Sequence, residues 1–204
     1  MLSTQTERMR PLACWKVPNS ISVSAVGVDR GEKSIYFGCS DGSLFQSSLV
    51  GSKELHRIHL EKNSTGIVEL EVVDSFLVVQ SRNGWIEVRK KNEILGTFLK
   101  SCSLTFCTFK VTVHHLLVYP SDGNCVTIVD LEQLHCKWEI PLGNEGEIGM
   151  ITCLQPAGED LVFAATDAGF IVEISLLHKK VESTRKEFNG SSKCSLFVCL
   201  FIFL

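Results

Sequence analysis

The chain has 204 residues, 45% of them hydrophobic and 21% charged, the balance of a folded globular domain rather than of a disordered segment. Its formal net charge is −3, with both signs interspersed and no Lys/Arg block, so a dedicated grip on a phosphate backbone is excluded and nucleic acid is not an expected partner. The nine cysteines (Cys14, Cys39, Cys102, Cys107, Cys125, Cys136, Cys153, Cys194, Cys199) contain no C-x2-C pair, which argues against a zinc or dithiol site; most sit in apolar runs, as small buried hydrophobes of a reducing compartment do.

Residues 1–10 (MLSTQTERMR) carry charge without the apolar run of a secretory signal and read as a flexible N-terminus. The expected location is therefore cytoplasmic or nuclear, where the sequons at Asn63 and Asn189 carry no meaning. A short apolar stretch follows at 12–17. Four similar units then succeed one another. The first, over 11–61, has candidate strands at 21–28, 34–40, 43–49 and 54–60, with Asp41-Gly42 between the middle two. The second, over 62–100, places strands at 66–73, 76–81, 85–89 and 94–99 around Asn83-Gly84. The third, over 101–142, places them at 104–111, 116–119, 125–131 and 135–140 around Asp122-Gly123. The fourth, over 143–188, opens on a solvated loop at 143–147 and places strands at 150–154, 161–165, 170–176 and 179–188 around Ala168-Gly169. The remaining 189–204 ends in an uncharged run, 194–204, well short of the roughly twenty residues that cross a bilayer. Left exposed, such a β-prone run is an aggregation hazard; it reads as a non-native end or as a tail that docks into a core or groove.

The physics of the units is that of hairpins. Asn-Gly and Asp-Gly favour tight turns whose central residues need positive φ. Runs such as FLVVQ and LVFAA are apolar on both faces, as strands covered from both sides must be, whereas ELHRIHLEK alternates with charge, as a solvated edge does. No segment carries a 3.6-residue stripe. The glycines Gly42, Gly84, Gly123 and Gly169 stand 42, 39 and 46 residues apart, and a four-stranded propeller blade repeats at roughly 40–45. The expected fold is an all-β propeller with about four blades of a probable seven and an incomplete ring. The stretch at 12–17 is placed to be the strand that closes the last blade, whose partner strands lie outside this chain.

Two units, Phe37-Gly38-Cys39-Ser40-Asp41-Gly42-Ser43-Leu44 and Val118-Tyr119-Pro120-Ser121-Asp122-Gly123, resemble the middle of WD repeats, and Val129-Asp130-Leu131 stands where such repeats end a strand in Trp-Asp. Ser47-Ser48, Arg89-Lys90 and Ile174-Ser175 occupy the other Trp-Asp positions, and no Gly-His dipeptide occurs. The stiffening His–Asp–Trp network is thus expected to be absent, leaving strand pairing and packing to hold each blade. Over about 66–177 the chain is similar to the guanine nucleotide-binding protein subunit β-like protein 1 family, which includes fungal ASTRA-associated proteins, through Gln80-Ser81-Arg82-Asn83, Leu104-Thr105-Phe106-Cys107 and Gly149-Met150-Ile151-Thr152-Cys153-Leu154-Gln155-Pro156. That resemblance implies a seven-bladed, non-enzymatic scaffold without cofactor, acting with co-chaperones on phosphatidylinositol-3-kinase-related kinases. Seven blades need roughly 300 residues, and an open stack of four exposes strand edges and an apolar face that invite self-association.

Arg82, Asn83 and Trp85 form the candidate protein-binding rim, since Arg and Trp are enriched in binding hot spots; the plainer alternative is a turn with its Trp packed between blades. Asp41, Gly42, Asn83, Gly84, Asp122, Gly123 and Gly169 are read as structural turn residues, the aspartates bonding to nearby backbone. His114-His115 beside Asp122, and His56-x-x-His59, put neighbouring side chains on opposite faces of a strand, and are read as surface histidines. A Cys107–His115 nucleophile pair would need contact across strands and a third, orienting group, and nothing in the sequence selects it. Glu69 and Glu71 are the only carboxylates on the expected inner strands at 21–28, 66–73 and 150–154. The reading is accordingly a scaffold with no catalytic, metal or cofactor site. The alternatives are a propeller with a ligand-binding or catalytic channel, and a truncated product without independent function.

Overall fold

Short apolar runs separated by turn residues every six or so positions pair with their immediate neighbours, because a tight turn brings consecutive strands side by side at the least cost in chain entropy. The computed structural model describes residues 14–18, 21–60, 65–90, 93–99, 107–122, 124–135, 137–143 and 145–187. In it β1 (Val23–Asp29), β2 (Ser34–Cys39), β3 (Leu44–Ser48) and β4 (His56–Ile58) form one antiparallel sheet in sequence order. The same meander recurs in β5 (Ile67–Val73), β6 (Phe76–Ser81), β7 (Trp85–Lys90) and β8 (Glu93–Leu99). It recurs again in β9 (Lys110–Val111), β10 (Leu116–Ser121), β11 (Cys125–Asp130) and β12 (Lys137–Pro141), and in β13 (Ile151–Ala157), β14 (Leu161–Thr166), β15 (Phe170–Ser175) and β16 (Lys180–Lys186). These four sheets are blades 1 to 4, and they do not close into a ring.

Each sheet hides its apolar faces against its neighbours rather than within itself. Tyr36 and Leu44 of blade 1 pack with Ile67, Leu70, Leu77 and Val79 of blade 2. Phe76, Val78, Ile86 and Val88 on the next face meet Phe109, Leu117, Tyr119 and Val129 of blade 3. Val118, Val126, Ile128 and Ile140 then meet Ile151, Leu154, Val162, Ala164, Val172 and Ile174 of blade 4. Alternate residues of one strand thus serve two different joints, as the period-2 geometry of a strand requires. At the first joint the approach is close because blade 1 presents glycine: a Cβ on Gly38 would lie 2.5 Å from the Ile67 side chain, and one on Gly27 would lie 2.1 Å from that of Leu70.

The local turn chemistry differs from the expected two-residue hairpin. Cys39 N–H bonds to the Ser43 carbonyl at 2.9 Å and Gly42 N–H to the Cys39 carbonyl at 3.0 Å, which makes 40–42 a three-residue loop. Only its last residue is left-handed, Gly42 at φ 88°, the arrangement of a type I turn closed by a glycine bulge. Gly84 at φ 90° and Gly169 at φ 87° repeat it. In blade 3 the left-handed position is Asn124, at φ 57°, so the repeat is aligned on Asn124 and not on Gly123, which lies outside the described residues.

Of the strand expected at 104–111, residues 104–106 lie outside the described residues, and among 107–111 it is Lys110–Val111 that pairs with β10. Two further expectations are corrected. The loop at 143–147 runs into a single helical turn, α1 (Glu145–Ile148). The stretch expected to close a last blade forms no strand over 14–18; it lies on the outer face of blade 1, where Val17 and Trp15 pack with Ile35, Phe37, Cys39 and Phe45. Trp15 Nε1 donates to Ser47 Oγ at 3.0 Å, and its ring lies 5.8 Å from that of Phe37. The expected N-terminus (1–10) and apolar tail (189–204) lie outside the described residues.

Candidate functional site

A meander places its first and third turns at one end of the blade and its second turn at the other, together with the connection to the next blade. The stack therefore has two rims. The rim formed by the second turns carries the loops 40–42, 82–84, 122–124 and 167–169. Asp41, Arg82 and Asp122 are exposed at their tips. Asp41 accepts from the Ser43 N–H and hydroxyl, both at 2.9 Å; these bonds, the backbone one foremost, hold its carboxyl below the ordinary range. Asn83 is half-buried, and its Oδ1 receives the Trp85 N–H at 3.5 Å; Trp85 is itself half-buried, opening β7 opposite Leu99. The loops are pinned to the entries of their inner strands: Ser40 N–H to the Ser22 carbonyl, Arg82 N–H to that of Gly66, and Asp167 N–H to that of Met150. Asp167 Oδ1 additionally accepts the Met150 N–H at 2.7 Å. Arg82, Asn83 and Trp85 thus share one loop, with the Arg82 side chain turned to solvent and Trp85 partly packed. Gly42, Gly84 and Gly169 shape their turns, and Gly123 lies outside the described residues.

The opposite rim is laced from blade to blade. His115, left-handed at φ 58°, reaches from blade 3 to Asp74 of blade 2, with Nε2 2.6 Å from Oδ2, while its Nδ1 lies 3.3 Å from Glu132 Oε1. Its carboxylate neighbours are therefore Asp74 and Glu132 rather than Asp122. His114 Nε2 stands 3.8 Å from Glu159 of blade 4, and Lys179 Nζ lies 3.7 Å over the Trp138 ring. A cleft of about 450 Å³ opens between blades 1 and 2 beside Asp29, Arg30, Glu32 and Asp74. Burial, then the charges of Glu32 and Asp29, pushes the nearby Tyr36 phenol up. His56 and His59 are exposed. Cys107 is buried in the joint between blades 3 and 4.

The inner-strand carboxylates are structural. Glu71 Oε2 accepts the Val111 N–H at 3.3 Å, and Glu69 lies 4.0 Å from Lys110. Burial pushes the Glu71 carboxyl up against the opposing pull of Lys110 and the Val111 bond. Gln80, buried on β6, accepts the Phe109 N–H at 2.9 Å. Two side chains of blade 2 thus satisfy backbone donors at Val111 in the short inner strand of blade 3 and at Phe109 just before it. The signal for Gln80 was present as a lone polar residue at the end of FLVVQ, a run otherwise apolar. Arg89 was another missed residue: its Nε bonds Glu87 at 2.5 Å and its Nη2 donates to the His59 carbonyl, tying blade 2 to the outer edge of blade 1 with both charged side chains buried. Among the described residues no group of three or more His, Cys, Asp or Glu could hold a metal ion, and no helix is long and apolar enough to cross a membrane.

No protein-family model matches the sequence, and no curated protein is significantly similar to it. Solved structures do resemble it. The C-terminal WD40 domain of Sif2 superposes with a TM-score of 0.68 at 12% identity, covering 86% of this chain and 49% of that one. The β-propeller domain of Cps50 (Swd1) from Myceliophteria thermophila gives 0.65 at 13%, covering 84% and 57%. The WD40 propeller domain of Doa1 gives 0.59 at 12%, covering 82% and 55%. The chain spans about half the length of these domains. Four sequential meanders, joined face to face and matched by half of each of these propellers, have the fold of an incomplete WD40-type β-propeller.

Proposed function

We propose that the chain is a non-enzymatic scaffold that binds other proteins through the rim carrying the second turns. The observation that carries this reading is the contrast between the rims. One joins neighbouring blades through His115, His114 and Lys179, with Arg30, Glu32 and Lys33 exposed on the first turn of blade 1. The other projects Asp41, Arg82 and Asp122 outward on loops anchored by backbone bonds. Rigid loops with exposed charge offer a partner contacts that need little ordering on binding. The resemblance over 66–177 specifies the partners further, as co-chaperones or large kinases of the phosphatidylinositol-3-kinase-related class, met in the cytoplasm or nucleus. A channel enzyme is the weaker reading, because Glu69 and Glu71 are engaged with Lys110 and Val111.

The test is capture of purified co-chaperones of that class by the immobilised chain, with Arg82→Glu and, on the opposite rim, Lys33→Glu as paired variants. Arg82→Glu is expected to weaken capture about tenfold, a loss of about 1.4 kcal/mol, while Lys33→Glu leaves it unchanged. No capture by the parent chain overturns the assembly; equal capture by the parent and Arg82→Glu overturns the choice of rim.

A further inference from the structure

The first turns of blades 2 and 3 each hold a residue in the left-handed region, Asp74 at φ 48° and His115 at φ 58°. Side chains adopt that conformation at some cost, Asn, Asp and His tolerating it best. Glycine would remove the cost at either position; what the actual residues supply is a contact between blades. The His115 backbone is pinned on both sides, its N–H donating to the Thr112 carbonyl at 3.1 Å and its carbonyl accepting the Leu131 N–H at 2.9 Å. The ring is thereby held between two carboxylates on different blades. Nε2 lies 2.6 Å from Asp74 Oδ2 of blade 2, and Nδ1 lies 3.3 Å from Glu132 Oε1 of blade 3. The Phe76 ring of β6, centred 5.7 Å away, flanks the imidazole.

We infer that His115 is a pH-dependent clasp between blades 2 and 3, complete only when its ring is protonated. A neutral imidazole has one N–H and one bare nitrogen, whereas an ionised carboxylate can only accept. In either tautomer, one of the two contacts would set a bare nitrogen against a carboxylate oxygen. The imidazolium donates at both nitrogens and makes both bonds charge-assisted. Among the described residues, the ionised groups that meet the ring are these two carboxylates. Farther out, Lys90 at the end of β7 lies over the Phe76 ring, His114 in the same turn reaches Glu159 of blade 4, and Asp29, Arg30 and Glu32 of blade 1 line the cleft that Asp74 borders. Histidine is the side chain that changes charge between about pH 5 and about pH 8, above the ordinary carboxylate range. The clasp is therefore made in full at the acid end of that window and loses a bond as pH rises. Asp74 and Glu132 are 74% and 66% exposed, so solvent screening keeps the effect small.

The test is hydrogen exchange on the full chain, corrected for the intrinsic pH dependence of amide exchange and read on peptides spanning 73–77. This is the blade 2 side of the clasp, where the described ion pair of Asp74 is with His115. In the unaltered chain these amides are expected to open about fivefold less often at about pH 5.5 than at about pH 8, a change of about 1 kcal/mol. His115→Asn keeps a residue that tolerates the left-handed backbone and removes the titrating ring, and Asp74→Asn leaves the ring and removes its partner on blade 2. Each is expected to abolish the pH dependence at 73–77. Equal opening of the unaltered chain at the two pH values overturns the inference, and that result does not depend on how the variants fold. A pH dependence that persists undiminished in either variant overturns it as well.

Discussion

Replacing Arg89 by methionine perturbs the joint between blades 1 and 2 at a single charge. The Arg89 and Glu87 side chains are each 6% exposed and meet at 2.5 Å, and the guanidinium also donates to the carbonyl of His59 beyond β4. Methionine keeps most of the aliphatic stem and removes both bonds. The Glu87 carboxylate then loses the Arg89 charge where water can replace it poorly, and breaking a buried pair from one side costs about 3–5 kcal/mol. For a chain of this size each kcal/mol moves Tm by roughly 2–4 °C, so the variant is expected to melt about 6–20 °C below the parent, read by circular dichroism on heating. The double replacement Glu87→Leu with Arg89→Met removes both charges and is expected to recover most of that loss, because apolar groups of similar volume replace a buried pair at little net cost. A single variant melting within about 2 °C of the parent, or a double variant below the single, refutes the reasoning.

Three other outcomes follow from the same geometry. Gly38→Ala puts a methyl 2.5 Å from the Ile67 side chain, a β-branched residue 1% exposed, and is expected to cost about 1–3 kcal/mol by overpacking, visible as a lower urea midpoint; an unchanged midpoint contradicts the close approach of blades 1 and 2. Asn124→Gly supplies the residue found at the same position of the other three turns and removes a buried amide nitrogen with no hydrogen-bond partner. It is expected to stabilise by about 0.5–1.5 kcal/mol, and a lower Tm counts against the alignment of blade 3 on Asn124. Glu71 has its folded-state pKa raised, chiefly by burial, so the folded state binds its proton more tightly than the unfolded one. The group therefore disfavours folding progressively as pH rises from its ordinary value through the raised one. Glu71→Gln can still accept the Val111 N–H, so its Tm advantage over the parent is expected to grow as pH rises above the ordinary glutamate range, about 4; a constant or shrinking difference refutes the burial argument.

Much of the architecture was legible from short stretches of chain. The period of the turn residues, the doubly apolar runs 76–80 and 161–165, and the charged outer strand 54–60 are local signals, because a hairpin is made by neighbours in sequence and needs only a turn and two runs of the right period. Even there the local code was coarser than the structure: Asp41-Gly42 and Asn83-Gly84 marked the bends, but whether two or three residues form the loop depends on which carbonyl the Cys39 and Gly42 N–H groups reach. The candidate rim was legible only as a location. That Arg82 is exposed while Trp85 is partly packed is decided by the neighbouring strands and not by the four-residue stretch 82–85.

By itself the sequence determined that the chain is all-β, that it repeats about every 42 residues, and that runs such as 76–80 are apolar on both faces. Only the tertiary structure decided what covers them and which polar residues hold the blades together. Glycines at 27 and 38 matter because Leu70 and Ile67 lie opposite; Gln80 and Glu71 matter because the backbone of 109–111 arrives beside them; Arg89 matters because His59, thirty residues away, offers a carbonyl. Each of these pairs joins consecutive blades through residues distant in sequence, and contacts across a joint leave no periodic trace in either strand alone. The reason is physical: hairpin formation is governed by backbone preferences a few residues long, whereas blade-to-blade packing is governed by shape and charge that exist only once two sheets face each other.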